Sequence, residues 1–226
     1  MPNSPANPVL VPLNEAILPP VAILLYRWLP VAPYQRSWHP VLIWRRIVNR
    51  MIAGSGRGPY CHAAILANGR VYETTQFFGG RTLRLVDAVS RHPGRIDVYS
   101  INTAVAAARG ETWDPAKADR GAHWLVGQKY GWRSVIRAGL RHTWLGRFFM
   151  KPDLNDANGG SGPPMCSQGV DIIVRYGGVE LIPNCASSST EPNDFMRSSG
   201  ADYEFTLTFD MDGAMRMAAA EEGEES

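Results

Sequence analysis

The chain has 226 residues, 45% of them hydrophobic and 19% charged, with a formal net charge of +2. That suits one globular domain whose core needs neither disulfides nor metal to hold it, and it is short for two. The small net charge hides an asymmetry: residues 1–150 carry 19 Lys/Arg against 7 Asp/Glu, and residues 151–226 carry 4 against 14. The two parts either pair inside one fold or present a basic face to an anionic partner such as membrane, cell-wall polymer or nucleic acid, although no specific nucleic-acid motif is present. Twenty of the 23 cations are Arg, which favours bidentate contact with carboxylate or phosphate. The three cysteines, Cys61, Cys166 and Cys185, are odd in number and irregular in spacing, so they describe neither a disulfide framework nor a zinc site.

In chain order, residues 1–20 read as a Pro- and Asn-rich N-terminal arm. The apolar stretch 17–33 is interrupted by Pro19, Pro20 and Pro30 and holds Arg27, so it is too broken to span a membrane. No cation precedes an apolar run at the start, so no secretory signal is read either. The expectation is a soluble protein, cytoplasmic or exported or virion-associated by a route the sequence does not display. Val21–Arg27 reads as a buried strand after two prolines. Over 41–52, Val41, Leu42, Trp44, Ile47, Val48, Met51 and Ile52 recur at helical spacing opposite Arg45, Arg46, Asn49 and Arg50, which predicts a basic amphipathic helix. Such a helix packs on a core, or contacts an anionic surface. Asn68-Gly69 between two apolar runs predicts a hairpin over 60–75. Ile96–Ile101 reads as a strand, and Pro115–Val126 as a helix capped by Asp114. A Gly/Pro-rich loop (151–164) leads into a helix over Cys166–Tyr176, stopped by Gly177-Gly178. Tyr203, Phe205, Leu207 and Phe209 alternate with polar residues as a half-buried strand. A single domain over 21–212 is followed by an acidic, flexible tail, 213–226.

Cys166 lies where a loop meets a helix start. There, unpaired N–H groups and the positive end of the helix dipole favour thiolate over thiol, and the same groups suit an oxyanion. A nucleophilic cysteine needs a base, and all five histidines (His39, His62, His92, His123, His142) precede Cys166. His62 stands out by sitting within an apolar strand. His39 and His92 each precede a proline and read as loop residues, and His123 and His142 fall on helices. Across the hairpin, Glu73 falls near the position paired with His62, where a carboxylate orients the imidazole. Adjacent strand residues point to opposite faces, which predicts that Cys61 and His62 do not share a cleft. Cys185 reads as an incidental loop cysteine.

The segments AILLYR, YCHAAILANGRVYET, GQKYGW and PMCSQGV, in that order, resemble the circularly permuted NlpC-type papain-like cysteine hydrolases, the group with YiiX-like and lecithin:retinol acyltransferase-like proteins. The resemblance covers roughly residues 21–200. It implies Cys166 as nucleophile, His62 as base and Glu73 as the orienting group, with Thr74 and Thr75 as alternatives to Glu73. It also implies that Tyr130 lies near the site. Tyr60 in the histidine segment and Trp132 in the tyrosine segment join it as substrate-binding candidates. Trp28, Trp44, Trp144 and Phe148-Phe149-Met150 are further candidates for an acyl-binding groove. The fold expected is α+β: a papain-like core in which a small antiparallel sheet carrying His62 and Glu73 packs against the helix that starts at Cys166. The function expected is thiol-dependent cleavage of an amide or ester, with a peptidoglycan peptide or a lipid or acyl compound as substrate, and with no metal or cofactor. The alternative is a catalytically degenerate binding module, or a virion or envelope structural component.

Overall fold

The computed structural model describes residues 8–28, 49–50, 52, 58–76, 78–92, 94–131, 163–183, 185, 187 and 190–208. The strands are β1 (Leu10–Pro12), β2 (Val21–Arg27), β3 (Tyr60–Ala67), β4 (Arg70–Thr75), β5 (Gly79–Arg84), β6 (Ile96–Ile101) and β7 (Ala201–Thr208). The helices are α1 (Leu85–Arg91), α2 (Thr103–Ala108), α3 (Pro115–Leu125), α4 (Cys166–Tyr176) and α5 (Pro192–Arg197). The basic amphipathic helix expected over 41–52 falls mostly outside the described residues, as do Trp132, His39, His142 and the tail 213–226.

The fold is mixed α+β. All seven strands form one sheet in the order β1-β7-β6-β2-β3-β4-β5. The sheet is larger than the small antiparallel one expected, and it is not wholly antiparallel, because β1 runs parallel to β7. Leu10–Pro12, from the expected arm, therefore closes one edge. β2 is the centre of this sheet, pairing antiparallel with β3 on one side and β6 on the other.

The apolar runs VAILLY and AAILA explain that central position, because strands buried on both faces read as continuous rather than alternating hydrophobic sequence. On one face Ile23, Leu25, Ala63 and Ile65 pack against Leu125 of α3, Val170, Ile173 and Val174 of α4 and Phe195 of α5. On the other, Ala22, Leu24, Ala64 and Leu66 pack against Leu13, Leu85 and Val89. Each Ile or Leu buried this fully stabilises the fold by about 1.5–3 kcal/mol relative to an exposed one.

Local signals set several boundaries. Asn68 (φ 47°) and Gly69 (φ 74°) both take the left-handed conformation that a tight hairpin turn needs between β3 and β4. The Asp114 carboxylate accepts from Lys117 N–H at 3.0 Å and so caps α3, with Pro115 in the first turn. Gly80 on β5 lies directly against the end of α3: its N–H donates to Gln128 O (2.7 Å), and its own O accepts from Gly127 N–H (2.8 Å). A Cβ at Gly80 would fall on the Leu125 carbonyl oxygen, so this close approach requires glycine.

Candidate active site

The site begins with an interruption in the sheet. β3 and β4 pair in register over Ile65–Ala67 and Arg70–Tyr72, while β3 runs back to Tyr60 and β4 on to Thr75. The start of α4 lies against this stretch, and the backbone N–H of Ala63 hydrogen-bonds to the Cys166 sulfur.

A second irregularity lies on the other side of β3. Tyr26 pairs with His62, but Arg27 pairs with Tyr60, so Cys61 is an extra residue. This β-bulge breaks the two-residue alternation. It overturns the expectation that Cys61 and His62 point to different faces: both line the cleft. It also turns Tyr60 onto the face shared by Ala63 and Ile65. Cys61 is 6% exposed and its Sγ lies 3.6 Å from Tyr26 O, so it packs against β2.

Cys166 is the first residue of α4 and is 3% exposed. Gln168 reaches back one turn to accept from Met165 N–H at 3.4 Å, which fixes the entry into the helix. Gly169 leaves room for Leu125 and Thr74, so α4 sits close to both α3 and β4. Burial raises the Cys166 thiol pKa. The opposing effects win and leave it lowered: the charge and hydrogen bond of His62, then the N–H groups of Ala63 and Ser167.

His62 is the group between the sulfur and a carboxylate. Its Nε2 is 2.8 Å from Glu73 Oε2, and it is also hydrogen-bonded to Cys166. With Nε2 taken by Glu73, Nδ1 is the nitrogen left for the sulfur. Burial disfavours the imidazolium, but the Cys166 charge and hydrogen bond, with those of Glu73, raise its pKa from 6.5 to about 9. Glu73 is 5% exposed. Burial raises its pKa, yet His62 and Arg81 together hold it at about 2. Arg81 donates from Nε (2.9 Å) and from an Nη (2.6 Å) to Glu73 Oε1, leaving Oε2 for His62. Between the lowered Cys166 pKa and the raised His62 pKa, the three form a thiolate, an imidazolium and a carboxylate in a row.

The cleft around them has a volume of about 360 Å³, near the lower end for small-molecule sites. Tyr130 lines it beside Cys166, and burial, then the Cys166 charge, push its phenol well above 10. Its position follows from Gly131, whose N–H donates to Pro164 O at 3.1 Å and whose missing Cβ lets the chain pass against Pro163. Tyr60 does not line the cleft. It is 0% exposed; its hydroxyl donates to Asp97 and meets Tyr99 OH at 2.9 Å, so it serves the core. Trp28 reaches the cleft wall.

Thus Cys166, His62, Glu73 and Tyr130 come together, Tyr60 does not, and Trp132 lies outside the described residues. Sequence reading missed Arg81, because GGRTLR has no clean alternation to mark β5. The register Glu73↔Arg81 shows its place only once that strand is seen. It also placed His92 in an unremarkable loop, whereas His92 lines the cleft with its ring 5.3 Å from Tyr26. His123 instead contacts Tyr72 (3.3 Å). Among the described residues no cluster of three His, Cys, Asp or Glu is placed to hold a metal, and no helix is long and apolar enough to cross a membrane.

The class defined by fold and site is thus an α+β protein with a Cys-His-Glu row, its Cys and Glu buried, opening on a cleft. Compared with known protein families and with curated proteins, the chain matches none.

Proposed function

We propose that the chain is a cysteine hydrolase with a papain-like core of the permuted NlpC type, cleaving an amide or ester bond through Cys166, His62 and Glu73. One observation carries the reading. A helix-start cysteine whose thiol pKa is lowered is hydrogen-bonded to a histidine that is itself held by a carboxylate, at the wall of an open cleft.

In the first step the Cys166 thiolate attacks the substrate carbonyl carbon, and the carbonyl π electrons move onto oxygen. The backbone N–H groups at the start of α4 suit that oxyanion. Collapse of the tetrahedral species expels the leaving amine or alcohol, which takes its proton from the His62 imidazolium. Neutral His62 then removes a proton from water, or from another acceptor, as it attacks the thioester. Collapse releases the acid or transferred acyl group and restores the thiolate–imidazolium pair. Glu73 stays ionised throughout and holds the ring in place. A peptidoglycan peptide, or a lipid or acyl compound, is the substrate class proposed.

The test is the pH dependence of alkylation at each cysteine, followed by mass spectrometry, in the wild type and in His62→Ala. Fast reaction of Cys166 below pH 7, lost in His62→Ala and absent at Cys61 and Cys185, supports the reading. Reaction of Cys166 like an ordinary thiol near its usual pKa of about 8.5 sinks it and leaves a non-catalytic binding module.

A further inference from the structure

We infer that the cleft has an anion-binding subsite formed by Arg91 and Arg95. On the hydrolase reading above, on which this rests, the substrate then carries a carboxylate or phosphate at a set distance from the bond cleaved. Both arginines line the same cleft as Cys166. Arg91 closes α1 and Arg95 precedes β6; between them Gly94, in the left-handed conformation (φ 66°), turns the chain tightly. That turn is pinned by Arg95 N–H donating to His92 O (3.1 Å) and by Arg95 O accepting from Arg27 N–H (2.8 Å).

The charges around the two arginines are otherwise matched. Glu73 is engaged by His62 and Arg81. Asp97, 0% exposed, is engaged by Arg27, Tyr60 and Thr206. Asp87 pairs with Arg84. Among the described residues neither Arg91 nor Arg95 has a carboxylate within ion-pair distance. The negative end of the α1 dipole accounts for a cation at Arg91 but not for the second at Arg95. Two arginines at one turn, lining the cleft and without an ion-pair partner among the described residues, suit a bidentate anion.

Aromatic rings lie between the base and the arginine turn. The His62 and Tyr26 rings lie 5.0 Å apart, and the Tyr26 and His92 rings 5.3 Å apart. Two ring contacts thus separate the base from the arginine turn, the reach of a short linker rather than of a directly attached group. Thr75 Oγ1 and Gln76 Oε1 are buried with no hydrogen-bond partner among the described residues, and both residues line the cleft. They leave polar positions for the linker itself.

The test uses alkylating probes of graded length: iodoacetyl derivatives of ω-amino acids, from glycine to 6-aminohexanoate. The matching ω-aminoalkyl phosphonates and the neutral methyl amides complete the set. Saturation kinetics at Cys166 give a KI for each. At one intermediate length the anionic probe should bind about tenfold tighter than its methyl amide, the effect of one good charge-assisted contact. That preference should collapse in the Arg91→Gln/Arg95→Gln variant and return in part with lysine at both positions. A phosphonate preference points to a phosphoryl headgroup, and a carboxylate preference to a peptide-like acid; either supports the subsite. Equal KI for acid, phosphonate and amide at every length overturns it. Plain iodoacetamide on the wild type separates the two ideas: slow, thiol-like reaction defeats the hydrolase reading, whereas fast reaction without anion preference defeats only the subsite.

Discussion

His62 Nε2 lies 2.8 Å from Glu73 Oε2, although the two residues do not face each other directly across the hairpin. The β3–β4 register ends at Ile65↔Tyr72, so His62 and Glu73 both lie past the last paired residues and meet through their side chains. Arg81 braces the other carboxylate oxygen from β5.

The pH dependence of Cys166 reactivity follows from the signs of the shifts. Its thiol pKa is lowered and that of His62 is raised to about 9, so the thiolate–imidazolium pair is the dominant form between them. Turnover should rise as Cys166 ionises, at a pH below the ordinary thiol pKa, and fall as His62 loses its proton near pH 9. A pH–rate profile with a synthetic ester or amide checks this. A single rise near the ordinary thiol pKa, with no alkaline fall, would contradict it.

Glu73→Gln should lower the His62 pKa, because the hydrogen bond survives but the negative charge does not. NMR titration of the His62 ring should place it below the wild-type value of about 9. The same change alters acid stability. Glu73 is held at about 2, below its usual 4.5, so its contribution is whole above pH 4.5 and is lost as pH falls toward 2. At pH 7 the loss should be roughly 2–3 kcal/mol by urea unfolding, and the acid-unfolding transition of the variant should be correspondingly shallower.

Asp97 holds three groups at once: Arg27 (2.7 Å), the Tyr60 hydroxyl and Thr206 Oγ1 (2.6 Å). Asp97→Ala strands a largely buried guanidinium and two hydroxyl donors, and should cost about 3–5 kcal/mol in chemical denaturation. Tyr60→Phe removes only one donor and should cost about 1–2 kcal/mol, with Cys166 alkylation retained, since Tyr60 lies in the core and not in the cleft.

Gly80→Ala should destabilise by about 3 kcal/mol, through collision of its Cβ with the Leu125 carbonyl and loss of the hydrogen bonds from Gly80 to Gly127 and Gln128 just past α3. The segment displaced, Gln128 onward, leads into Tyr130. The variant should therefore also perturb the Tyr130 ring signals in NMR spectra, which Gly110→Ala, with open space around its Cβ position, should not.

Where one physical rule decided a feature, the sequence carried it. Asn68-Gly69 called for a hairpin because few other residues take positive φ cheaply, and Val21–Arg27 was legible as a strand because both its faces are apolar and buried. Cys166 was legible as a helix start from the Gly/Pro loop before it and the apolar spacing after it. What failed depended on residues far apart in the chain. β5 escaped because its two glycines serve the approach to α3, not a pattern of its own. The bulge at Cys61 escaped because it is defined only against β2, and a single inserted residue reverses the face of Tyr60 without altering local sequence. The sequence by itself determined which residues had chemistry to offer, since that depends on side-chain type and on the strand or helix each occupies. Only the tertiary structure decided that Arg81 braces Glu73 and that His92, Arg91 and Arg95 line the cleft, because such placement is a matter of distance between strands that no local pattern records.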